Sequence, residues 1–307
     1  MPKINVIKSI KIDSPIEMIF NTLNDFNHWQ VWSPWLIMEP EAEVKIAEDS
    51  KSYSWNGKRI GSGNMKVTSE EPHQKINYDL NFLKPWKSSA KVRFELEPDG
   101  DMTKVSWVMD SSLAFFMFWM KAMMQAFIGM DFERGLNMLK DYMEDGIVHS
   151  QLDFKGESTF PGFDYIGLKR YCNIDEMPAK MAADFDKINE FLAKNPDFNA
   201  SQVFTIYHNW DMVKQKVSYT SGVAVGQPEI DLTDGFISGK IPKIKVFTLR
   251  HIGPYRHLGN AWSTLYNMKQ GKHLKIQKNI HPFETYVNDP KEVPENDLIT
   301  DIHFAIK

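Results

Sequence analysis

The second half of the chain repeats itself, and this duplication constrains the fold more than any other feature. The segments QVFTIYHNW (202–210) and HPFETYVND (281–289) share Phe, Tyr and Asn in register. Upstream, GLKRYCNI and FTLRHIGP carry an arginine at nearly the same offset, as Arg170 and Arg250. Each copy has the pattern strand, helix, strand, strand. Two such units predict one pseudo-symmetric domain, since neither could bury its apolar face alone.

One carboxylate interrupts the symmetry of the two copies. In the segment 281–289, the two-residue period of a strand places Glu284 and Tyr286 on one face. Thr205 occupies the position of Glu284 in the first copy. Glutamate is depleted in strands and costly to bury unpaired, so the position is either solvent-facing, with a Lys or Arg partner, or a charge chosen for a cleft. We expect a buried functional charge.

The first half has a different organisation. A short helix in DSPIEMIFNTL precedes several short strands with turn signals, and a long helical pattern closes the region near residue 145. In KVRFELEP the apolar residues alternate with charged ones, which indicates a half-buried antiparallel strand, and Asp99-Gly100 is a hairpin signal. The order predicts an α+β domain in which an antiparallel meander is followed by a long C-terminal helix.

Four segments of this half resemble the START-related polyketide cyclase and lipid-transfer superfamily (SRPBCC): FNHWQVWSPW, GSGNMKV, TKVSWVMD and GMDFERGLNMLKDYME. The resemblance covers about residues 3 to 145. It implies a helix-grip fold, in which a curved antiparallel sheet wraps the last helix around an apolar cavity. The residues proposed for this second cavity are Trp29, Trp32, Trp107 and Met124, and packing in the core is the alternative for each of them.

The second half resembles the GyrI-like effector-binding domain over about residues 148 to 307. The resemblance rests on FTLRHIGPYRHLGNAW and on FETYVNDPKEVPENDLITDIHFAI. Such a domain implies two packed βαββ copies with a ligand cleft between them. In the family a strand acid, which matches Glu284, contacts cationic or aromatic ligands, and the Gly-Pro-Tyr tyrosine matches Tyr255. No DNA-binding domain accompanies it here, which places direct gene regulation in doubt.

These patterns give a set of candidate ligand-binding residues and three functions. The residues are Glu284, Tyr255, Trp262, Tyr286 and Tyr207. The preferred function is capture of an apolar aromatic and cationic ligand, with Glu284 as counter-charge. One alternative is a hydrolase that acts on an electrophilic or strained-ring compound with Glu284 as general base. The other, by resemblance alone, is inhibition of a protein partner such as gyrase.

Composition and charge limit the remaining classes. With 307 residues the chain is long enough for two domains, predicted at 1–147 and 148–307. A net charge of -4 provides no basic footprint for nucleic acid. The single cysteine, Cys172, and a start without the apolar core of a signal peptide predict a reducing cytoplasm. The nine histidines show no metal-binding spacing, so we expect neither metal nor cofactor, and leave a homo-oligomer open.

One segment is apolar enough to suggest a membrane span. Residues 113–130, LAFFMFWMKAMMQAFIGM, are almost wholly hydrophobic. Lys121 and Gln125 lie near the middle, and a lysine at the centre of a span costs about 2.5 to 3.5 kcal/mol. The helical pattern also continues as an amphipathic helix. We therefore predict a buried helix and no membrane span.

Overall fold

A computed structural model describes residues 3–113, 115–226, 232 and 235–307. The chain divides into two compact units, Met1–Ser150 and Gln151–Lys307. Each unit has its own antiparallel sheet and its own helices. The predicted α+β class is confirmed. Independent folding of the two halves stays a prediction.

The N-terminal unit is a curved sheet closed by a long helix. Its strand order is β1-β7-β6-β5-β4-β3-β2, with every neighbouring pair antiparallel. The strands are β1 (Lys3–Ile12), β2 (Glu43–Ile46), β3 (Ser52–Asn56), β4 (Ser62–Glu71), β5 (Lys75–Lys84), β6 (Ser88–Asp99) and β7 (Met102–Ser112), and the helices are α1 (Ile16–Leu23), α2 (Trp29–Trp32) and α3 (Lys121–Asp145).

Helix α3 is only partly buried over its first turns, where Met124 and Ile128 pack against the core of the N-terminal unit. Its buried side chains begin at Gly129 and Phe132, and the Phe132 ring stacks on Trp107 at 4.2 Å between centroids. The helix ends at Gly146, which adopts the left-handed conformation (φ 77°) and donates its N–H to the Tyr142 carbonyl.

The prediction of a buried helix over 113–130 is wrong for most of that segment. Residues Phe115–Met120 form a 3-10 helix, and α3 begins only at Lys121. Phe116 and Trp119 are 74% and 68% exposed. Apolar composition cannot separate a core helix from an exposed apolar surface, and the sheet interior is already filled by other aromatic rings. Within the described residues, no helix is long and apolar enough to cross a membrane.

The C-terminal unit contains the two repeats as a pseudo-symmetric sheet. Its strand order is β12-β9-β11-β10-β14-β15-β13-β8. The strands are β8 (Gln151–Phe160), β9 (Phe163–Asn173), β10 (Val203–Asp211), β11 (Lys216–Val225), β12 (Phe236–Ile241), β13 (Ile244–Ile252), β14 (Phe283–Tyr286) and β15 (Ile299–Ala305), and the helices are α4 (Met177–Lys194) and α5 (Gly259–Gln270).

The order of these strands follows from the duplication. The first copy is β9-α4-β10-β11 and the second is β13-α5-β14-β15, so the two copies meet where β10 pairs with β14. Helix α4 packs through Ile188 on the first half of the sheet, and α5 packs through Ala261 and Leu265 on the second. The centre of the sheet therefore lies between the two helices.

Candidate functional site

The junction of the two copies brings Glu284 and Thr205 together. They are direct partners in the antiparallel pair β10–β14, so their side chains leave the same face of the sheet. Met181 of α4 and Trp262 of α5 both pack against the residues of this face. Thr205 and Glu284, which occupy equivalent positions in the two copies, are thus direct neighbours where the copies meet.

Three neutral donors hold the Glu284 carboxylate. The residue is fully buried, with 0% of its surface exposed. The hydroxyls of Tyr207 and Tyr286 each donate to Oε2 at 3.0 Å, and the indole Nε1 of Trp262 donates to Oε1. The Thr205 hydroxyl lies 3.0 Å from the Tyr286 hydroxyl and extends the network across the junction.

Burial without a compensating cation makes the Glu284 carboxyl a weaker acid than an exposed glutamate. Desolvation raises the pKa of Glu284 from 4.5 to about 7, and the bonds from Trp262, Tyr286 and Tyr207 only partly oppose the rise. Among the described residues, no lysine or arginine contributes to the shift in its pKa. The carboxyl is therefore poised between its neutral and charged forms near neutral pH.

Aromatic rings surround the carboxylate. Tyr207 meets Trp262 edge to face at 4.9 Å, and Tyr286 meets Tyr255 edge to face at 5.9 Å. Tyr255 is 41% exposed, so it is the solvent-facing member of this group of aromatic rings. Burial, followed by the charges of Glu284 and Asp289, raises the pKa of Tyr255 to about 12, and the phenol stays neutral.

All five residues predicted for the site from sequence lie together. Tyr207, Trp262 and Tyr286 hydrogen-bond Glu284 directly, and Tyr255 contacts the group through the Tyr286 ring. The solvent-facing alternative for Glu284, with a lysine or arginine partner, is wrong, because the side chain is buried and its hydrogen-bond donors are neutral.

Trp210 stacks on Tyr207 at 5.2 Å between ring centroids, although the sequence pattern does not predict it as a site residue. In a regular strand, residue 210 would face away from residue 207. A β-bulge between Tyr207 and Asn209 shifts the register, so that Trp210 pairs with Val217 on the face shared with Tyr219. The alternation of a strand contains no signal for such a bulge. Phe185 of α4, which meets Tyr286 at 5.8 Å, is likewise not predicted by the sequence pattern.

The tryptophans predicted to line a cavity in the N-terminal unit are packed against one another. Trp29, Trp32 and Trp107 are at most 1% exposed and pack against one another at 4.6 to 5.9 Å. Met124 is partly buried against the same core. A groove of about 490 Å³ in this unit is lined by Leu36 and other residues. None of the four predicted cavity residues lines it. Their role in a cavity stays a prediction.

The described part of the chain contains no group of three or more His, Cys, Asp or Glu side chains that could hold a metal ion. The rings of His208 and His281 meet edge to face at 4.9 Å between centroids. Nε2 of His208 is hydrogen-bonded to the Thr220 hydroxyl at 2.8 Å.

Comparison with protein families identifies both units. Residues 157–307 match the GyrI-like small molecule binding domain. Residues 3–144 match the family described as polyketide cyclase / dehydrase and lipid transport. The chain therefore joins a polyketide cyclase and lipid-transport domain to a GyrI-like domain, and both resemblances found in the sequence are confirmed.

Solved structures give weaker similarities. The crystal structure of the EcmrR C-terminal domain is 19% identical, with a TM-score of 0.41 over 52% of this chain and 98% of that one. The EcmrR–DNA complex, solved by cryo-EM, is 18% identical, with a TM-score of 0.44 over 64% and 73%. The Aha1 dimer from Colwellia psychrerythraea is 20% identical, with a TM-score of 0.34 over 47% and 98%. No curated protein matches the chain.

Proposed function

We propose that the GyrI-like domain binds a flat aromatic cation in the cleft between α4 and α5, with Glu284 as the counter-charge. The observation that carries this proposal is a fully buried carboxylate whose three hydrogen-bond donors are all neutral. An isolated buried charge is costly, and a protein that keeps one at such a place gains stability when a cation arrives.

The aromatic residues supply the rest of the recognition. A cation over the face of an indole or phenol ring is attracted by the ring quadrupole, most strongly when water is excluded. Tyr255, Trp262 and Tyr286 present such rings on the sides of the carboxylate, and Tyr207 fixes its orientation from the neighbouring strand. A planar ligand would stack on these rings while its charge lies near Glu284.

Ligand charge and carboxylate ionisation are coupled in this proposal. The empty site favours the protonated acid, since burial raises the pKa of Glu284 to about 7. A bound cation stabilises the ionised form and lowers that pKa again. A neutral ligand of the same outline provides no such stabilisation, so the site would discriminate by charge.

Calorimetric titration of a matched pair of dyes, one cationic and one neutral, tests the proposal. Glu284→Gln keeps the shape and removes the charge. It should weaken binding of the cationic dye by about 2 to 5 kcal/mol and change binding of the neutral dye much less. Glu190→Gln, the same change at an exposed position of α4, is the control. Equal losses for both dyes would contradict a charge-based site.

A hydrolase is the second candidate, because the same pKa of about 7 suits a general base. Glu284 would take a proton from water as the water oxygen bonds to a carbon of an electrophilic or strained ring such as an epoxide. The C–O bond of the ring breaks in the same step, and its oxygen takes up a proton from solvent. An epoxide-bearing aromatic is a suitable probe. The hydrolase requires repeated turnover that Glu284→Gln abolishes while the probe still binds. If the wild-type protein binds the probe but does not turn it over, the hydrolase is contradicted and the binding function stands.

A further inference from the structure

One end of the N-terminal sheet carries aromatic side chains from two separate segments. The strands β6 and β7 pair with Lys91 opposite Asp110, and the Ser111 hydroxyl donates to the Ser89 carbonyl at 3.1 Å. The start of β6 therefore lies beside the end of β7. The turn that contains Trp86 precedes β6, and the 3-10 helix Phe115–Met120 follows β7, so both are at the same end of the sheet.

These aromatic side chains are unusually exposed. Trp86 is 81% exposed, and Phe116 and Trp119 are 74% and 68% exposed. We call these three residues the aromatic end. Soluble proteins rarely leave several large apolar side chains together in water, and such a group marks an interaction surface. Leu83, which lies in β5 shortly before the turn that contains Trp86, is also 47% exposed.

The two sequence segments that carry the aromatic end contain charged residues of one sign only. Lys84 and Lys87 flank Trp86, and Lys121 follows the 3-10 helix. Residues 81–91 and 111–130 contain no aspartate or glutamate. None of these three lysines forms an ion pair with an acidic residue in the parts of the chain that the structure describes. Their charges are thus available to an anionic partner.

We propose that the aromatic end docks on the surface of an anionic lipid bilayer. Tryptophan and phenylalanine beside lysine are the side chains that favour the interface, where the rings enter the headgroup region and the ammonium groups meet lipid phosphates. A second copy of the chain fits less well, because a two-fold contact would place the lysines of one copy against those of the other.

Sedimentation with vesicles tests this docking. The full-length protein should bind vesicles of equal parts phosphatidylcholine and phosphatidylglycerol, bind pure phosphatidylcholine much less, and be released by salt. Trp86→Ser with Trp119→Ser should weaken partition by about tenfold or more. Lys84→Gln with Lys87→Gln should weaken it by about thirtyfold, since each lysine near an anionic surface contributes a several-fold factor.

The control variant changes exposed apolar residues elsewhere. Met18 and Val213 are 55% and 53% exposed, and Met18→Ser with Val213→Ser should bind the mixed vesicles like the wild type. No binding of the wild-type protein to mixed vesicles, or an equal loss in the control, would overturn the proposal. A concentration-dependent dimer that forms without lipid and disappears in the Trp86/Trp119 variant would overturn it in favour of a protein interface.

Discussion

Replacing Glu284 by glutamine should change how the stability of the empty protein depends on pH. Folding raises the pKa of this carboxyl from 4.5 to about 7. The folded state therefore keeps a proton that the unfolded state has already released between these two values. The free energy of unfolding of the wild-type protein falls, through this group, as pH rises across that window.

The size of the effect follows from the shift in pKa. A pKa difference of roughly 2.5 corresponds to about 3 kcal/mol in the free energy of unfolding. The wild type loses this stability between pH 4.5 and pH 8, and the glutamine variant does not. For a domain of this size that is about 6 to 12 °C in the melting temperature. Other groups titrate equally in both proteins, so they cancel in the difference.

Differential scanning calorimetry of both proteins across this pH range measures the difference. The melting temperature of the variant minus that of the wild type should increase from pH 4.5 to pH 8 for the transition of the C-terminal domain. Glu190→Gln, at the exposed position, should give a flat difference. A difference that is independent of pH for Glu284→Gln would show that the carboxyl ionises normally in the empty protein, and the reasoning from burial would fail.

Three further predictions concern the rest of the molecule. Gly135→Ala should destabilise the N-terminal domain by about 1 to 3 kcal/mol in chemical denaturation, because a Cβ there would lie 2.6 Å from the Trp107 ring. Gly129→Ala in the same helix should be neutral or stabilising, because its Cβ would meet the end of the flexible Lys8 side chain at 3.3 Å and Val6 at an ordinary contact distance of 3.9 Å. Burial lowers the pKa of His303 to about 4, so the folded state loses stability through this histidine as pH falls from about 6.5 towards 4. His303→Gln should flatten that part of the curve of unfolding free energy against pH, and an unchanged curve would refute this prediction. Fragments 1–147 and 148–307 should each unfold cooperatively, and the absence of a cooperative transition in both would show that the halves depend on each other.

The repeat made the C-terminal fold predictable. Matching residues in two copies, such as Arg170 and Arg250, require the same local structure twice, and two amphipathic units must pack together. The sequence does not say which strands meet at the junction. The pairing of Thr205 with Glu284 depends on β10 and β14 being central neighbours, which is a property of the assembled sheet.

Local irregularities set the limit of sequence reasoning about the site. Residues on a regular strand, such as Tyr286 beside Glu284, follow from the two-residue period. Trp210 could not be placed, since the β-bulge that turns it toward Tyr207 leaves no trace in the alternation. The surroundings of Glu284 also include Trp262, which comes from the preceding helix α5 and not from a neighbouring strand.

The apolar segment at 113–130 shows a different limit. Its composition is equally compatible with a core helix and with an exposed surface, and only the filled interior around Trp29 and Trp107 decides between them. Charge near the middle of the segment argued against a span, but no feature of the segment argued for burial.

The dependence of ligand affinity on pH tests the central claim most directly. If a cationic dye binds the ionised form of Glu284, whose pKa in the empty site is about 7, its affinity should rise about tenfold from pH 6 to pH 8, with about half a proton released per dye at pH 7. The neutral dye should show no such rise, and Glu284→Gln should abolish it. A cationic dye whose affinity is the same at pH 6 and pH 8, with no proton released, would contradict the role of Glu284 as the counter-charge.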